Sequence, residues 1–237
     1  MKRIIPLIAL VFISYSAQSQ ILISLIFGDK LNSGNVEFGI DGGFNFSQMS
    51  GFESSSRLRT FNMGFYFDIT LKDQWFINTG VLVKSNVGLD ELTENDVLFL
   101  DPTTVYSSAG TYNQKISYFH VPIGIKYRFK NHFYVHMGPQ FALRSKAALI
   151  YFEESNNTII DIEVDNRDLF NSIEVAAMGG LGYKLQKGEG INIGIKYMYG
   201  FTNIMKDGTR ESKNNSLYLS VGIPIGRDKV NSESKSN

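Results

Sequence analysis

Cysteine is missing from all 237 residues, which excludes disulfides and a lipid anchor on an N-terminal cysteine. There are only three histidines, His120, His132 and His136, and no Ser/His/Asp arrangement or metal-ligand spacing is built on them. The formal charge is balanced, 23 basic against 23 acidic residues, so nothing draws the chain towards nucleic acid. No internal apolar run reaches the roughly 18 residues of a helical membrane span. Proline is scarce at 5, while glycine (22), phenylalanine (18) and tyrosine (12) are plentiful.

The first residues read as a leader. Lys2 and Arg3 are followed by an apolar stretch from Ile4 to Ser14, and Ala17 and Ser19 occupy the −3 and −1 positions of a small-residue cleavage site before Gln20. The expectation is a signal peptide over 1–19, an apolar segment over 20–34 against the periplasmic rim, a barrel domain over 35–225 and a disordered polar tail over 226–237. An uncleaved N-terminal anchor is the alternative.

Period-two alternation governs the rest. From Val36 to Ser47 the even positions (Val36, Phe38, Ile40, Phe44, Phe46) are oily and the odd ones (Glu37, Asp41, Asn45, Ser47) polar. Seven more segments repeat this with odd positions apolar, beginning at Phe61, Trp75, Phe119, Phe133, Ile173, Ile191 and Leu217. Successive strand side chains point to opposite faces, so each segment has one oily and one polar side. The 47 oily positions hold no charge, whereas the chain's 19% charged content would place about nine there by chance. The opposite faces hold Glu37, Asp41, Asp68, Lys84, Lys126, Arg128, Arg144, Glu174, Lys184 and Lys196, with His120 and His136. They are also rich in glycine, which weakens a solvated strand but makes room inside a narrow barrel. The expected fold is therefore all-β: an eight-stranded antiparallel up-and-down transmembrane β-barrel, charged face inward. Ten strands is the competing count.

Aromatics fall in two interfacial bands: Trp75, Tyr127, Phe129, Phe133 and Tyr183 near one set of turns, and Phe46, Phe61, Phe119, Phe141, Tyr199 and Phe201 near the other. Short turns at 72–74, 130–132 and 186–190 alternate with loops near 48–59, 85–115, 145–171 and 203–214, which predicts short periplasmic turns and long extracellular loops. In the third loop, 147–152 and 158–164 flank Ser155-Asn156-Asn157 and read as a protruding hairpin. Symmetric turns would set Lys126 opposite His136 and Lys196 opposite Gly180, a large side chain facing a gap. Pro122, Pro139 and Pro224 lie within strands and predict local bulges.

YFHVPIGIKYRF (118–129), VHMGPQFAL (135–143), GGLGYKL (179–185) and IKYMYGFTNI (195–204), with GDKLNSGNVEFGIDGG (28–43) before them, resemble the PorT-like family of small outer-membrane β-barrel proteins. The resemblance covers roughly residues 36–225 and implies an integral outer-membrane protein without cofactor.

No acid, base and nucleophile cluster, so the expected protein is not an enzyme. The inward charges, four acids against six bases, read as a mutually neutralising and slightly basic network. The expected partners are outer-membrane lipid and envelope or secretion proteins, with no small-molecule ligand and no nucleic acid. The favoured role is structural or interactive, through the loops; a secretion or envelope-assembly accessory and a soluble lipid-binding barrel are the alternatives. The acidic residues Asp90, Glu91, Glu94 and Asp96, and Glu153, Glu154, Asp161, Glu163 and Asp165 on the hairpin, read as solvated loop charge open to cations or basic partners.

Overall fold

The computed structural model describes residues 35–155, 158–206 and 210–225, so the expected leader, the segment to residue 34, the hairpin tip at 156–157 and the tail lie outside the described residues. Nine strands follow in chain order: β1 (Val36–Met49), β2 (Leu58–Lys72), β3 (Trp75–Leu89), β4 (Thr111–Arg128), β5 (Phe133–Ser155), β6 (Thr158–Asp165), β7 (Ile173–Lys184), β8 (Asn192–Gly200) and β9 (Asn214–Pro224). One short helix, α1 (Glu94–Leu100), interrupts the loop between β3 and β4.

Eight of the strands form a ring. Antiparallel pairing runs β1-β2-β3-β4-β5-β7-β8-β9 and closes through β9 on β1, so the ring has no open edge. The ninth, β6, pairs only with the outer end of β5, from Ala148↔Asp165 to Ser155↔Thr158. Eight strands in the ring and a hairpin beyond it is the arrangement that the loop pattern predicts.

Which face points where follows from exposure. Ile123 and Ile195 are 47% and 46% exposed, while Asp68 and Lys126, on the alternate faces of their strands, are each 4% exposed. A narrow eight-stranded cylinder leaves an interior that side chains fill, and its glycines supply the space. A β-carbon on Gly39 would lie 2.3 Å from the Tyr66 ring, and one on Gly182 would lie 2.4 Å from that of Tyr134. Lys126 pairs across from His136 and Lys196 across from Gly180, as the symmetric turns require. The gap at Gly180 is nevertheless filled by His136, whose Nε2 would lie 2.4 Å from an added β-carbon.

The prolines do not act as expected. Pairing keeps one register through Pro122↔Gln140, Pro139↔Ala177 and Pro224↔Gly39. A proline removes one donor on one side of the ladder and leaves the neighbouring pairs in place; its carbonyl still accepts, from Thr79 Oγ1 at 2.8 Å. The register shifts occur elsewhere, between Leu82 and Ser85, Thr70 and Lys72, and Ser117 and Tyr118.

The shift in β3 changes its phase. Leu82 pairs with Gly64 and Lys84 with Met63, so Val83 is the extra residue of a bulge. Beyond it Ser85, Val87 and Leu89 point inward and are buried. Val87 and Leu89 join Met49, Leu92, Val97, Leu100, Tyr112, Ile116, Leu149, Phe170, Ile204 and Met205 in an apolar plug across the long-loop end of the ring. Each fully buried large side chain there contributes about 1.5–3 kcal/mol. Segments expected to be solvated loop thus extend the strands and roof the lumen.

Candidate functional site

Three ion pairs organise the lumen. Lys126 Nζ on β4 lies 2.6 Å from Asp68 Oδ2 on β2, and Lys196 Nζ on β8 lies 2.6 Å from Asp41 Oδ2 on β1. Lys184 on β7 reaches across to Glu37 on β1. Neutral groups complete the set: Asn78 Nδ2 donates to Asp68 Oδ1 (2.6 Å), Tyr66 OH to Glu37 Oε1 (3.0 Å), and Asn192 Nδ2 to Tyr66 OH (3.1 Å). Lys126 also sits 4.1 Å above the Tyr134 ring and Lys196 5.2 Å above that of Tyr218. Buried ions need such partners, since an isolated charge in this space would cost several kcal/mol.

The expected basic excess is not there. Lys84 is exposed on the outer wall, because the bulge at Val83 flips it beside lipid-facing Met63. Arg128 and Arg144 sit at the two ends of the lumen. Arg128 lies 4.6 Å from the Phe76 ring, and Arg144 Nε donates to the Asn171 carbonyl at 3.2 Å. The deep interior therefore balances Glu37, Asp41 and Asp68 against Lys126, Lys184 and Lys196. Glu174 stands apart near the plug, 1% exposed, accepting from Asn214 Nδ2 at 2.7 Å. His120 and His136 lie on different strands, about six residues apart in register; His120 contacts Ser85 Oγ and His136 contacts Asn78 Oδ1.

Free space inside is small. One luminal cavity, lined by Asp41, Asn62, Tyr66, His120, Lys196 and Tyr218, has about 40 Å³, and another beside His136 has about 20 Å³. Cavities of this size hold a water molecule or so each.

A latch holds the plug. Asp96 of α1 was expected in a solvated acidic patch, but its carboxylate is fully buried. It accepts from Glu53 N (3.0 Å) and Ser54 N (2.8 Å) of the β1–β2 loop and pairs with Arg210 Nη1 (3.4 Å) of the β8–β9 loop. The Arg210 guanidinium lies 3.9 Å from the Phe99 ring and 4.9 Å from that of Phe52. One carboxylate thus ties three loops together. Its neighbours Glu91 and Glu94 do face solvent, and Asp90 is half-buried. Nearby, Thr103 and Thr104 hydroxyls each donate to Asp101 at 2.6 Å and hold its carboxyl below the usual range.

The hairpin projects beyond the plug. Tyr106, Tyr112 and Tyr151 stack in series, with ring centroids 5.2 and 4.8 Å apart, and anchor the base of the β4–β5–β6 sheet. Of its acids, Glu153 accepts from Tyr151 OH, and Asp165 is engaged by Arg167 (2.7 Å), which holds its carboxyl below the usual range. Glu154, Asp161 and Glu163 are exposed. Ile159, Ile160 and Ile162 are exposed beside them, and among the described residues the outer edge of β6 has no strand partner.

Both aromatic bands lie on the outer wall. Trp75, Tyr127 and Phe129 form one chain of ring contacts (4.8 and 4.9 Å), and Phe133 meets Tyr183 at 5.1 Å at the short-turn end. Phe46, Phe61, Phe119, Phe141, Tyr199 and Phe201 face outward towards the other end, where Tyr199 and Phe201 are 5.9 Å apart. Sequence reasoning missed Arg210, Phe52 and Phe99. It also passed over Tyr66, Tyr134 and Tyr218, although their even positions on the charged faces marked them as luminal.

A family model described as "outer membrane protein beta-barrel domain" matches residues 17–206. Among solved structures, Ail of Yersinia pestis in complex with the heparin analogue sucrose octasulfate aligns with a TM-score of 0.44 at 15% identity, covering 81% of this chain and 99% of that one. Neisserial surface protein A (TM-score 0.38, 9% identity, 81% and 98% covered) and OprG of Pseudomonas aeruginosa (0.37, 14%, 81% and 96%) also align. No curated protein matches the chain. With the family model spanning most of a ring whose oily rows face outward and whose ions face inward, this chain belongs to the outer membrane protein beta-barrel domain family and is an outer-membrane barrel.

Proposed function

We propose that this protein is a closed, non-catalytic barrel that displays an extracellular β-sheet to a partner, with its long-loop end outside the cell. The observation that carries the reading is a contrast along one axis. The lumen holds three ion pairs and is roofed by the plug, and two of its cavities are as small as about 40 and 20 Å³. Above the roof, β6 offers an unpaired strand edge with Ile159, Ile160 and Ile162 exposed. An exposed edge invites an added strand, and alternate side chains then set specificity. Asp161 and Glu163 beside the isoleucines favour a strand that alternates basic and apolar residues.

The luminal ion pairs act as internal struts in this reading. The cysteine-free sequence suits the test: a photo-crosslinking residue placed at Ile162 in intact cells is expected to capture a defined extracellular partner, and one at Ile123 only lipid. Steady conductance in planar bilayers, or equal capture from both positions, contradicts the proposal.

A further inference from the structure

Lys84 belongs by alternation to the lumen, and the bulge that expels it completes a group on the outer wall. It projects beside Met63, which faces lipid. Three more cations leave the same wall. Arg59 is the cross-strand neighbour of Phe46, Lys115 lies between Gly88 and Ala148, and Lys146 lies beside Ser117. Their outward direction follows from alternation with buried Leu58, Ile116 and Ala147. Strands β2 to β5 are consecutive in the ring, so a spacing of about 4.8 Å and a rise of about 3.3 Å per residue place the four α-carbons within about 15 Å.

None of the four has an ion-pair partner among the described residues. The wall between them is polar: Ser117 Oγ donates to Asn86 Oδ1 at 2.7 Å. Immediately towards the short-turn end, Phe61 and Phe119 begin the oily belt. The opposite wall, β7 to β9, has Ile173, Tyr199, Phe201 and Leu217 near its long-loop end. The basic group is thus one-sided and interleaved with lipid-facing residues.

A cation with hydrocarbon neighbours is stable only if its head reaches the polar headgroup layer. Four such heads repel one another unless an anion bridges them, and Arg and Lys donors suit phosphate oxygens. A soluble polyanion would not account for Phe46, Met63 and Phe119 standing among the cations; a ligand with acyl chains does. The geometry points to a lipid site on the outer wall of β2–β5, in which Arg59, Lys84, Lys115 and Lys146 hold the phosphorylated headgroup of an outer-leaflet glycolipid. Its acyl chains lie along Phe61, Met63, Phe119 and Ile123. The site depends on the membrane orientation given above and not on the β6 edge.

The test uses the full protein in mild detergent, titrated with lipopolysaccharide, dephosphorylated lipopolysaccharide and heparin. Phosphorylated glycolipid is expected to bind at least about tenfold more tightly than the dephosphorylated form, with affinity falling as salt rises. Arg59→Gln/Lys84→Gln/Lys115→Gln/Lys146→Gln is expected to lose about tenfold or more, and Lys130→Gln/Lys206→Gln nothing. Heat-modifiable gel mobility reports that each variant is folded, and if the fourfold variant is not, Lys84→Gln alone is expected to lose about threefold. Unchanged binding by the folded variants, indifference to the phosphates, or tighter binding of heparin than of glycolipid overturns the site.

Discussion

The lumen and the plug are stacked in one cylinder, yet they are built on opposite principles. The lumen buries three acids and answers each with a lysine, while the plug buries side chains of the ordinary soluble-core kind and is tied down by the Asp96 carboxylate. The difference follows from where the oily residues can go. Within the membrane they are needed outside, so polar groups are left to fill the axis. Above the membrane the outer surface meets water, and the same strands reverse their pattern so that Val87, Leu89 and Leu149 turn inward.

If that contrast is right, the two regions fail differently. The largest effect is expected in the lumen: Lys126→Met strands Asp68 without its cation and costs about 3–5 kcal/mol, read by urea unfolding in lipid vesicles. Asp68→Leu/Lys126→Met together should recover most of that loss, because two well-packed apolar groups remove the unpaired charge. A double variant no better than the single one would mean that packing, not charge, sets the cost.

In the plug the expected loss comes from a cavity. Leu100→Ala removes a 2%-exposed side chain and should cost about 2–5 kcal/mol, while the lipid-facing Ile195→Ala, which loses transfer into hydrocarbon but leaves no cavity, costs less, about 1–2 kcal/mol, by the same unfolding measurement. Next in size, Asp96→Asn weakens the tie to Arg210 and to two backbone N–H groups, at about 1–3 kcal/mol, and should open the loops to protease while the barrel stays folded. Equal protease resistance in the variant would separate the latch from the plug.

The smallest effect is a pH dependence confined to the loops. Asp101 and Asp165 are held below their ordinary value of 3.8, the first by Thr103 and Thr104, the second by Arg167. A depressed carboxyl contributes stability that is complete above its unfolded value and disappears as pH falls through the folded one. Loop proteolysis should therefore be flat from pH 8 to about 5 and rise only below about 4, with little salt-independent component because Asp165 is exposed and Asp101 no more than half-buried.

Alternation made the ring, its handed faces and the luminal acids legible from sequence, since Glu37, Asp41 and Asp68 recur on faces otherwise free of competing signals. The partner of each acid was not legible: Lys184 lies 147 residues from Glu37, and the register of several strands must accumulate correctly before they meet. A bulge is one extra residue with no strong sequence mark, so Val83 hid both the outward turn of Lys84 and the inward turn of Val87. The latch was hidden for a related reason, because Asp96 and Arg210 are 114 residues apart and each alone looks like loop charge. Proline misled in the other direction: Pro122 announces a lost donor, but the pairs on either side of it keep their register.

Single-cysteine spin labels offer the most direct measurement, since the protein supplies no thiol of its own. In lipid vesicles, a label at Ile195→Cys should collide with oxygen and not with a water-soluble nickel reagent, while one at Ser220→Cys, facing the axis, should collide with neither. Ready collision of the nickel reagent at Ser220→Cys, or of oxygen at Ser220→Cys in place of Ile195→Cys, would contradict a sealed barrel with its oily rows outside.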